Sequence, residues 1–312
     1  MKTFFRLLRT TFTEWNQDKA PRLGAALAYY TIFAVAPLLL VAIAIAGLVY
    51  GEEAAQGQVA RKVQDTMGRP VAEAVQDLIQ NTSRSGAGPI ATVIGLATLL
   101  FGAAGLFWQL QDALDTVWKV TPKPGRGILG IIRDRFISFV MVLGIGLLLL
   151  ASLVVTTALV SLSRWLTLPE LPGGISLWQA VHSLVSVLFL TLLFAMIYKV
   201  LPDAKIAWAD VWLGSALTAV LFTIGRQLIG WYLGYAGLAS AFEAAGSVVL
   251  LLFWVYYSSQ IFLCGAEFTR VFANFRGSPL VPADNAVLLS REDRVRQGIP
   301  RPEDITPAEG DC

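Results

Sequence analysis

The sequence predicts an all-α integral membrane protein with six transmembrane helices and both termini in the cytosol. Hydrophobic residues make up 55% of the chain and charged residues only 15%, against about 45–50% and about 25% in average soluble proteins. The apolar residues are concentrated in long runs, and ~20 predominantly apolar residues suffice for a helix that crosses a bilayer. These runs and the mean hydropathy of +0.62 exclude a soluble domain.

Lysine and arginine residues are distributed unevenly between the two predicted sides of the membrane. Fourteen lie near the predicted cytosolic ends of the spans, and five lie in the predicted external loops. Because basic residues accumulate on the cytosolic side of membrane proteins, this asymmetry predicts an N-in, C-in orientation.

Residues 1–22 are predicted to form a basic amphipathic helix at the cytosolic surface. Phe4, Leu8, Phe12 and Trp15 share one face of such a helix, which fits burial of that face in the headgroup layer. A simple solvated start to the chain is the alternative interpretation.

Residues 23–275 are predicted to form the membrane domain. Its six spans are expected at about 25–50, 90–108, 136–162, 177–201, 211–233 and 246–270. Pro37 lies at the centre of the first span, where a proline removes one backbone hydrogen bond. This residue is a candidate hinge beside a site, and an ordinary packing kink is the alternative.

Polar regions outside the spans have distinct patterns. Residues 52–88 carry apolar side chains at four-residue intervals, interrupted at 68–70, which predicts an external helical hairpin between the first two spans. Residues 276–312 are charged and contain prolines, which predicts a disordered cytosolic tail.

Asp112 and Asp115, at the boundary of the second span, are interpreted as a solvated helix face.

The last span contains polar residues close to its midpoint. These polar residues are Tyr256, Tyr257, Ser259 and Gln260. Together with Glu267 they are candidates for lining a pathway through the membrane. Lipid offers such groups no hydrogen bonds, so they should face protein or a wet cavity. Tyr256, Gln260, Cys264 and Glu267 are spaced by four, four and three, so they form one stripe on a helix. Hydrogen bonds between helices, with no substrate, are the alternative.

A charged residue inside the fifth span is a further candidate for the pathway. Arg226 lies in its predicted outer third, and a charge within the bilayer requires a partner. Glu243, at the outer start of the last span, is the nearest carboxylate by predicted depth. The pair is interpreted either as lining or gating the pathway, or as an arginine that extends to the outer headgroups.

No catalytic constellation is present in the sequence. The motifs HExxH, GxxxxGK[ST] and GxSxG are absent, and the single histidine, His182, cannot form a multi-histidine zinc site. The two cysteines, Cys264 and Cys312, do not indicate a disulfide framework. We therefore expect no enzymatic activity, no bound metal and no cofactor.

Several stretches resemble the YihY/BrkB family of bacterial membrane proteins, formerly labelled ribonuclease BN. They are Asp18-Lys19-Ala20, Ala25-Ala26-Leu27-Ala28-Tyr29-Tyr30-Thr31, Ala36-Pro37-Leu38, Gln109-Leu110-Gln111-Asp112-Ala113-Leu114, Leu201-Pro202-Asp203, Trp254-Val255-Tyr256-Tyr257-Ser258-Ser259-Gln260 and Gly265-Ala266-Glu267. The resemblance covers about residues 1–275 and implies a six-span protein of the bacterial inner membrane. It does not supply a reaction.

The expected function is passage of a small solute, ion or lipid across or within the inner membrane. The alternative is a non-transporting scaffold whose basic cytosolic loops and tail recruit partners or anionic lipid. A nuclease is not expected, because the sequence supplies no metal-binding set and the positive-inside bias already explains the basic loops. The expected partners are therefore the lipid bilayer and a small substrate without nucleic acid, and an oligomer is compatible with the sequence.

Overall fold

The computed structural model describes residues 2–34, 105–123, 175–235, 246–278 and 280–301. It also describes residues 170, 171 and 304, and scattered positions between 57 and 102 and between 144 and 161. The described chain is mostly helical. Pro37 and Glu243, predicted as a hinge and an ion-pair partner, lie outside the described residues.

The helices and strands follow in chain order, with short strands between long helices. They are α1 Lys2–Gln17, α2 over residues 20–34, α3 over residues 105–117, β1 Val120–Pro122, β2 Glu170–Leu171, β3 Ile175–Ser176, α4 Leu177–Val200, β4 Ala204–Lys205, α5 Trp208–Tyr235, α6 Gly246–Phe275, β5 Val281–Pro282, β6 Ala286–Leu288 and α7 Arg291–Arg296. The described positions between 57 and 76 are all helical, including Arg69, which the sequence placed in a break.

Among the residues that the structure describes, three helices are long and apolar enough to cross a membrane: Leu177–Val200, Trp208–Leu233 and Val248–Phe275. They correspond to the fourth, fifth and sixth predicted spans. The other three predicted spans lie wholly or partly outside the described residues. The structure therefore supports a helical membrane protein, while the number of six spans and the orientation stay predictions.

The last helix continues five residues beyond its predicted end at 270. It stops in a Schellman motif, in which the Ser278 amide donates to the Ala273 carbonyl at 3.0 Å and the Gly277 amide to the Asn274 carbonyl at 3.0 Å. Gly277 has φ of 78°, a conformation that glycine adopts without the steric cost of a Cβ atom. The helix end is thus set by Gly277 and not by the end of the apolar run.

The chain divides into two compact units, each assembled from separate stretches of sequence. The first contains residues 1–18, 114–220 and 264–312, and the second contains residues 19–113 and 221–263.

In the first unit, the described tail differs from the predicted disorder. The tail strand β6 pairs antiparallel with β1, with Val287 opposite Thr121, and β5 pairs with β4. Leu289 and Ile299 are buried, and Ser290 begins α7 with a reciprocal capping box to Asp293. The composition favoured disorder because the tail is charged, whereas its backbone is in fact paired with two loops of the membrane domain.

The helices of the first unit approach closely at small residues. A Cβ atom added to Gly265 on α6 would lie 2.8 Å from the Tyr198 hydroxyl, so glycine is required for this contact. Tyr198 is fully buried, and its hydroxyl lies 3.2 Å from Thr218 Oγ1 on α5. Close packing of this kind is typical of membrane helices, where small residues let backbones approach.

Helix α1 presents two different faces. Leu7 packs in a buried cluster with Phe268 and Val271 of α6, whereas Phe4, Phe5, Leu8 and Phe12 are exposed. An exposed aromatic face on a helix next to a membrane span agrees with the predicted position in the headgroup layer.

In the second unit, residues 221–235 of α5 pack against residues 246–263 of α6. Phe222 meets Trp254 edge to face at 6.0 Å, and Tyr232 lies 6.5 Å from Phe253. Gly24 of α2 faces Gln260 of α6 so closely that an added Cβ would overlap the amide group.

Candidate functional site: a buried ionic network

Six charged residues meet in the first unit, contributed by parts of the chain that are distant in sequence. We call this group the ionic network: Glu14, Asp18, Lys119, Glu267, Arg270 and Arg301. Glu14 lies near the end of α1, and Asp18 lies in the turn that follows. Lys119 lies in the turn before β1, and Glu267 and Arg270 lie one helical turn apart on α6.

Arg270 is at the centre of the ionic network. Its Nη2 donates to Glu14 Oε2 at 2.6 Å and to Glu267 Oε2 at 2.9 Å. Arg301 Nη2 donates to the same Glu14 oxygen at 2.8 Å. Glu14 therefore joins the first helix, the last span and the tail through one carboxylate.

Lys119 pairs with the second carboxylate of this region. Its ammonium donates to the Asp18 carboxylate and lies 3.9 Å from Glu14 Oε2. Both Lys119 and Asp18 have a non-helical backbone here, and Lys119 has a positive φ of 55°. A non-glycine residue in this conformation carries a backbone cost that the surrounding contacts must offset.

The ionic network is strongly buried. Glu267 is 0% exposed and Arg270 is 6% exposed. Removing charges from water costs several kcal/mol each unless partners and hydrogen bonds compensate. Three carboxyl groups face three cations here, so the charges balance when all are ionised.

The charges shift the pKa values of the network residues that lie outside the spans. Burial raises the pKa of Glu14, but attraction to Arg270, Arg301 and Lys119 outweighs it, so the pKa of Glu14 lies below its ordinary value. Burial lowers the pKa of Lys119, and the neighbouring Asp18 carboxylate opposes that shift only in part.

Two carboxyl groups of the network lie next to each other. Oxygens of Asp18 and Glu267 are within 4.8 Å of one another, and Asp18 Oδ2 and Glu267 Oε1 have no hydrogen-bond partner among the described atoms. Ionised carboxylates have only acceptor atoms, so a hydrogen bond between them requires a proton on one of the two. The geometry is therefore suited to holding one proton between Asp18 and Glu267.

Three carboxyl groups of the network have the spacing of a possible cation site. Carboxylate oxygens from Glu14, Asp18 and Glu267 lie within 4.8 Å of one another, as in an oxygen-ligand metal site. Arg270 and Lys119 already bind oxygens of this group, so a metal ion would have to compete with two cations. The residues present fit a proton better than a metal.

A second polar group lies in the same unit and orders the loop after α4. Asp115 Oδ1 accepts a hydrogen bond from the Asp203 amide at 2.7 Å, and Asp203 Oδ1 accepts from Asn285 Nδ2 at 3.0 Å. Asp115 is buried, so the interpretation of this residue as part of a solvated helix face is wrong. Its neighbour Asp112 is exposed.

The structure places the residues of the candidate pathway in different surroundings. Glu267 belongs to the ionic network, Ser259 is buried, and Tyr256 is exposed. Tyr257 packs beside Gly225 of α5, whose Cβ would lie 3.0 Å from the tyrosine hydroxyl. Gln260 is the exceptional member, because both polar atoms of its amide are buried and have no hydrogen-bond partner among the described residues.

Arg226 and Cys264 lie on two different spans. Arg226 is half-buried on α5 and has an interaction partner, whereas its predicted partner Glu243 lies outside the described residues. Cys264 has a free, half-buried thiol.

Sequence reasoning did not single out five members of the ionic network. Two signals in the sequence point toward it: the Asp18-Lys19-Ala20 stretch of the family resemblance, and the three-residue spacing of Glu267 and Arg270, which places opposite charges on one helix face. Arg270 was counted only as a cytosolic basic residue. No local pattern indicates that Glu14 and Arg301 would meet it.

In the described part of the chain, three helices of bilayer length, the last of which carries Glu267 and Arg270 of the ionic network, define an α-helical membrane protein. The chain belongs to the BrkB family, whose model, described as "Virulence factor BrkB", matches residues 11–286. The resemblance to the YihY/BrkB family is thereby confirmed. All members of the ionic network except Arg301 lie within the matched residues.

Curated relatives are named as membrane proteins. The chain is 30% identical over 255 residues to a UPF0761 membrane protein of Pseudomonas aeruginosa strain LESB58, covering 80% of this chain and 58% of the relative. It is 25% identical over 288 residues to a UPF0761 membrane protein of Aggregatibacter aphrophilus, covering 90% and 95%. The chain thus spans 58% of the Pseudomonas relative's length. No solved structure is significantly similar to the chain.

Proposed function

We propose that this protein is a multi-pass protein of the bacterial inner membrane that moves a small solute, ion or lipid across or within the bilayer. The observation that carries the proposal is the amide of Gln260. It lies on a span, against Gly24 of the neighbouring helix, and both of its polar atoms are buried without a partner among the described residues.

An unsatisfied amide is an unfavourable way to pack a membrane helix. Leaving a buried donor or acceptor without a partner costs about 1–3 kcal/mol per group, and a leucine would fill a similar volume without that cost. Water or a polar substrate that passes Gln260 would supply both hydrogen bonds. Gln260 is therefore better explained by a transient ligand than by packing.

The ionic network supports the same proposal from the first unit. It holds α1, the last span and the tail together through charges that are removed from water. Protonation or displacement of one carboxylate would weaken these connections together. Such a group is suited to opening and closing one end of a transport route.

The alternative, a scaffold that recruits partners through basic loops and tail, has less support. Among the described residues, several basic side chains of these regions are engaged within the chain. Lys123 donates to the Asp284 carbonyl, Lys205 pairs with the Asp284 carboxylate, and Arg294 pairs with Asp304. The proposal includes no enzymatic step and no nucleic-acid partner.

Flux measurements on reconstituted protein test the proposal. Proteoliposomes are assayed with a panel of fluorescent reporters for protons, potassium, small organic solutes and lipid exchange between leaflets. Gln260→Leu is expected to abolish whichever flux the natural protein shows, with thermal stability unchanged or raised. Gln227→Leu is the matched control, since Gln227 lies on the exposed face of α5.

The two possible failures have different meanings. No flux of any reporter above empty liposomes would overturn transport and favour the scaffold. Equal flux in Gln260→Leu and Gln227→Leu would show that the amide of Gln260 is not on the route.

A further inference from the structure

We propose that a groove between α4 and α5 binds an anionic phospholipid, with one acyl chain in the groove and the phosphate on Arg276. This inference goes beyond the proposed transport and does not depend on it. It rests on the shape of the groove, on the chemistry of its walls and on the position of one half-exposed cation.

The groove lies in the first unit and has a volume of about 590 Å³, within the ~300–1,000 Å³ of typical small-molecule sites. Its walls include Leu184 and Leu188 of α4, Trp212 and Ala216 of α5, and Phe272 near the end of α6. Leu184 and Leu188 are 71% and 59% exposed. On a membrane span, exposure of this kind means contact with lipid chains.

The walls offer almost nothing to a polar ligand. Among the described wall residues only Thr191 has a hydroxyl, and that hydroxyl already donates to the Val187 carbonyl at 2.8 Å. The remaining described wall side chains are apolar except for the Arg276 guanidinium and the indole N–H of Trp212. The occupant must therefore be apolar along most of its length, with acceptors only near Arg276 and Trp212.

Arg276 follows the last residue of α6 and is half exposed, with 52% of its side chain accessible. Its guanidinium lies 5.7 Å from the centre of the Phe272 ring, which fixes its direction. The nearest carboxylate is Asp210, whose Oδ1 is 3.8 Å from Arg276 Nη1. Asp210 also accepts the Ser278 hydroxyl at 2.7 Å, so the aspartate positions the arginine without occupying its donors.

The depth of Arg276 agrees with a lipid phosphate. Trp208 and Trp212, at the start of α5, are both partly exposed, and tryptophans of this kind mark the headgroup layer. The Lys199 ammonium lies 5.8 Å from the centre of the Trp208 ring, at the same end of the spans. The guanidinium is thus at headgroup level, with its N–H fork available for two phosphate oxygens.

The positive charge of Arg276 favours an anionic lipid over a zwitterionic one. Phosphatidylcholine carries its own ammonium group, which repels Arg276, whereas phosphatidylglycerol presents an uncompensated phosphate. One basic residue near the membrane surface changes the affinity for an anionic lipid by roughly five-fold.

A photo-crosslinking competition tests the site. Full-length protein is reconstituted with a trace of phosphatidylglycerol that carries a diazirine on its acyl chain, and crosslinked peptides are identified by mass spectrometry. We expect the label within 184–191 and 209–216. Unlabelled phosphatidylglycerol should compete roughly five-fold better than phosphatidylcholine, the factor expected for one cationic contact.

Two variants separate the headgroup contact from the groove. Arg276→Gln should remove the difference between the competing lipids while the label stays in the groove; Arg296→Gln on α7 is its matched control. Ala216→Phe should fill the groove and remove the label; Val220→Phe, on the exposed face of α5, is its control. If either variant does not fold, the competition on the natural protein decides alone.

Equal competition by the two lipids, or labels spread evenly over all lipid-facing helices, would overturn the proposal. That result would describe ordinary boundary lipid. A preference for phosphatidylglycerol that survives in Arg276→Gln would show that another residue binds the headgroup.

Discussion

The Arg270 guanidinium connects two carboxylates, Glu267 Oε2 at 2.9 Å on its own helix and Glu14 Oε2 at 2.6 Å on the first helix. The pair Glu267–Arg270 is thereby extended to a part of the chain 256 residues away. The first four predictions below concern this connection and the tail that joins it.

Removing the cation should be severely destabilising. Arg270→Gln leaves the half-buried Glu14 carboxylate without its central partner and removes the donor to Glu267 Oε2, and breaking a buried ion pair costs about 3–5 kcal/mol. Thermal unfolding in detergent should show a large decrease in Tm. Arg296→Gln serves as the surface control, and a similar small change in both variants would contradict the proposed importance of Arg270.

Two carboxyl groups of the ionic network should respond differently to the same substitution. Glu267→Gln keeps the shape and can replace a protonated carboxyl group beside Asp18, so we expect a loss of less than about 1.5 kcal/mol, the size of one ordinary hydrogen bond. Glu14→Gln removes an ionised acceptor of two arginines and should cost about 3 kcal/mol or more. The comparison of unfolding free energies checks this order, and a reversed order would exclude the shared proton.

Stability should depend on pH through Glu14. The pKa of Glu14 is lower in the folded protein than in the unfolded chain, so the folded state is favoured when the group is ionised. This contribution is complete above the unfolded pKa, near ~4.3, and is lost as the pH falls through the lower folded pKa. Unfolding measured from pH 7 to pH 3 should show this decrease, and Glu14→Gln should reduce it.

The tail should resist trypsin at its arginine residues, although its charged composition alone would predict rapid cleavage. Asp304 accepts hydrogen bonds from Arg294 Nε at 2.7 Å and from the Arg301 amide at 2.9 Å. Asp304→Asn should therefore speed trypsin cleavage after Arg291, Arg294 and Arg296. Asp284→Asn is the matched control, because the exposed Lys205–Asp284 pair is of a kind that contributes little; equal cleavage rates would indicate that Asp304 does not order the tail.

The predicted orientation is open to a labelling test. In a variant without Cys264 and Cys312, single cysteines at Gly57 and Arg296 should react with an impermeant maleimide from opposite sides of the membrane. A Cβ atom at Gly57 meets no neighbour within 4 Å, and Arg296 lies on the exposed α7. Labelling from the same side would contradict the arrangement of both termini inside and residues 52–88 outside.

Local features of the sequence were sufficient to predict some helices and strands and insufficient to predict others. The spans at 177–201, 211–233 and 246–270 were predicted to within a few residues of the helices, because hydropathy depends only on neighbours in the chain. The tail was predicted as disordered, because its charges indicate solvent exposure until the partner loops are known. Val287 pairs with Thr121 across 166 residues, and no local pattern contains that information.

The candidate site shows the same limit at the level of single residues. Glu267 was predicted as a pathway residue because it lies on a stripe of polar residues in the last span, and the helical spacing alone shows this. Glu14, Asp18 and Arg301 look like ordinary surface charges in the sequence. Their importance arises only when folding brings them to Arg270, so sequence reasoning found one carboxyl group and missed its counter-ions.

Attachment of α1 to Arg270 and Arg301 constrains how the protein is made. At ~5–20 residues per second, the ribosome needs roughly 13–50 s to synthesise the 256 residues that separate Glu14 from Arg270. During that interval Glu14 and Asp18 have no partners from the last span, while the exposed phenylalanines of α1 are already available to the bilayer surface. Helix α1 must therefore stay undocked at the membrane surface while the rest of the chain is synthesised. Its docking onto Arg270 and Arg301 is one of the last steps, after the chain leaves the ribosome.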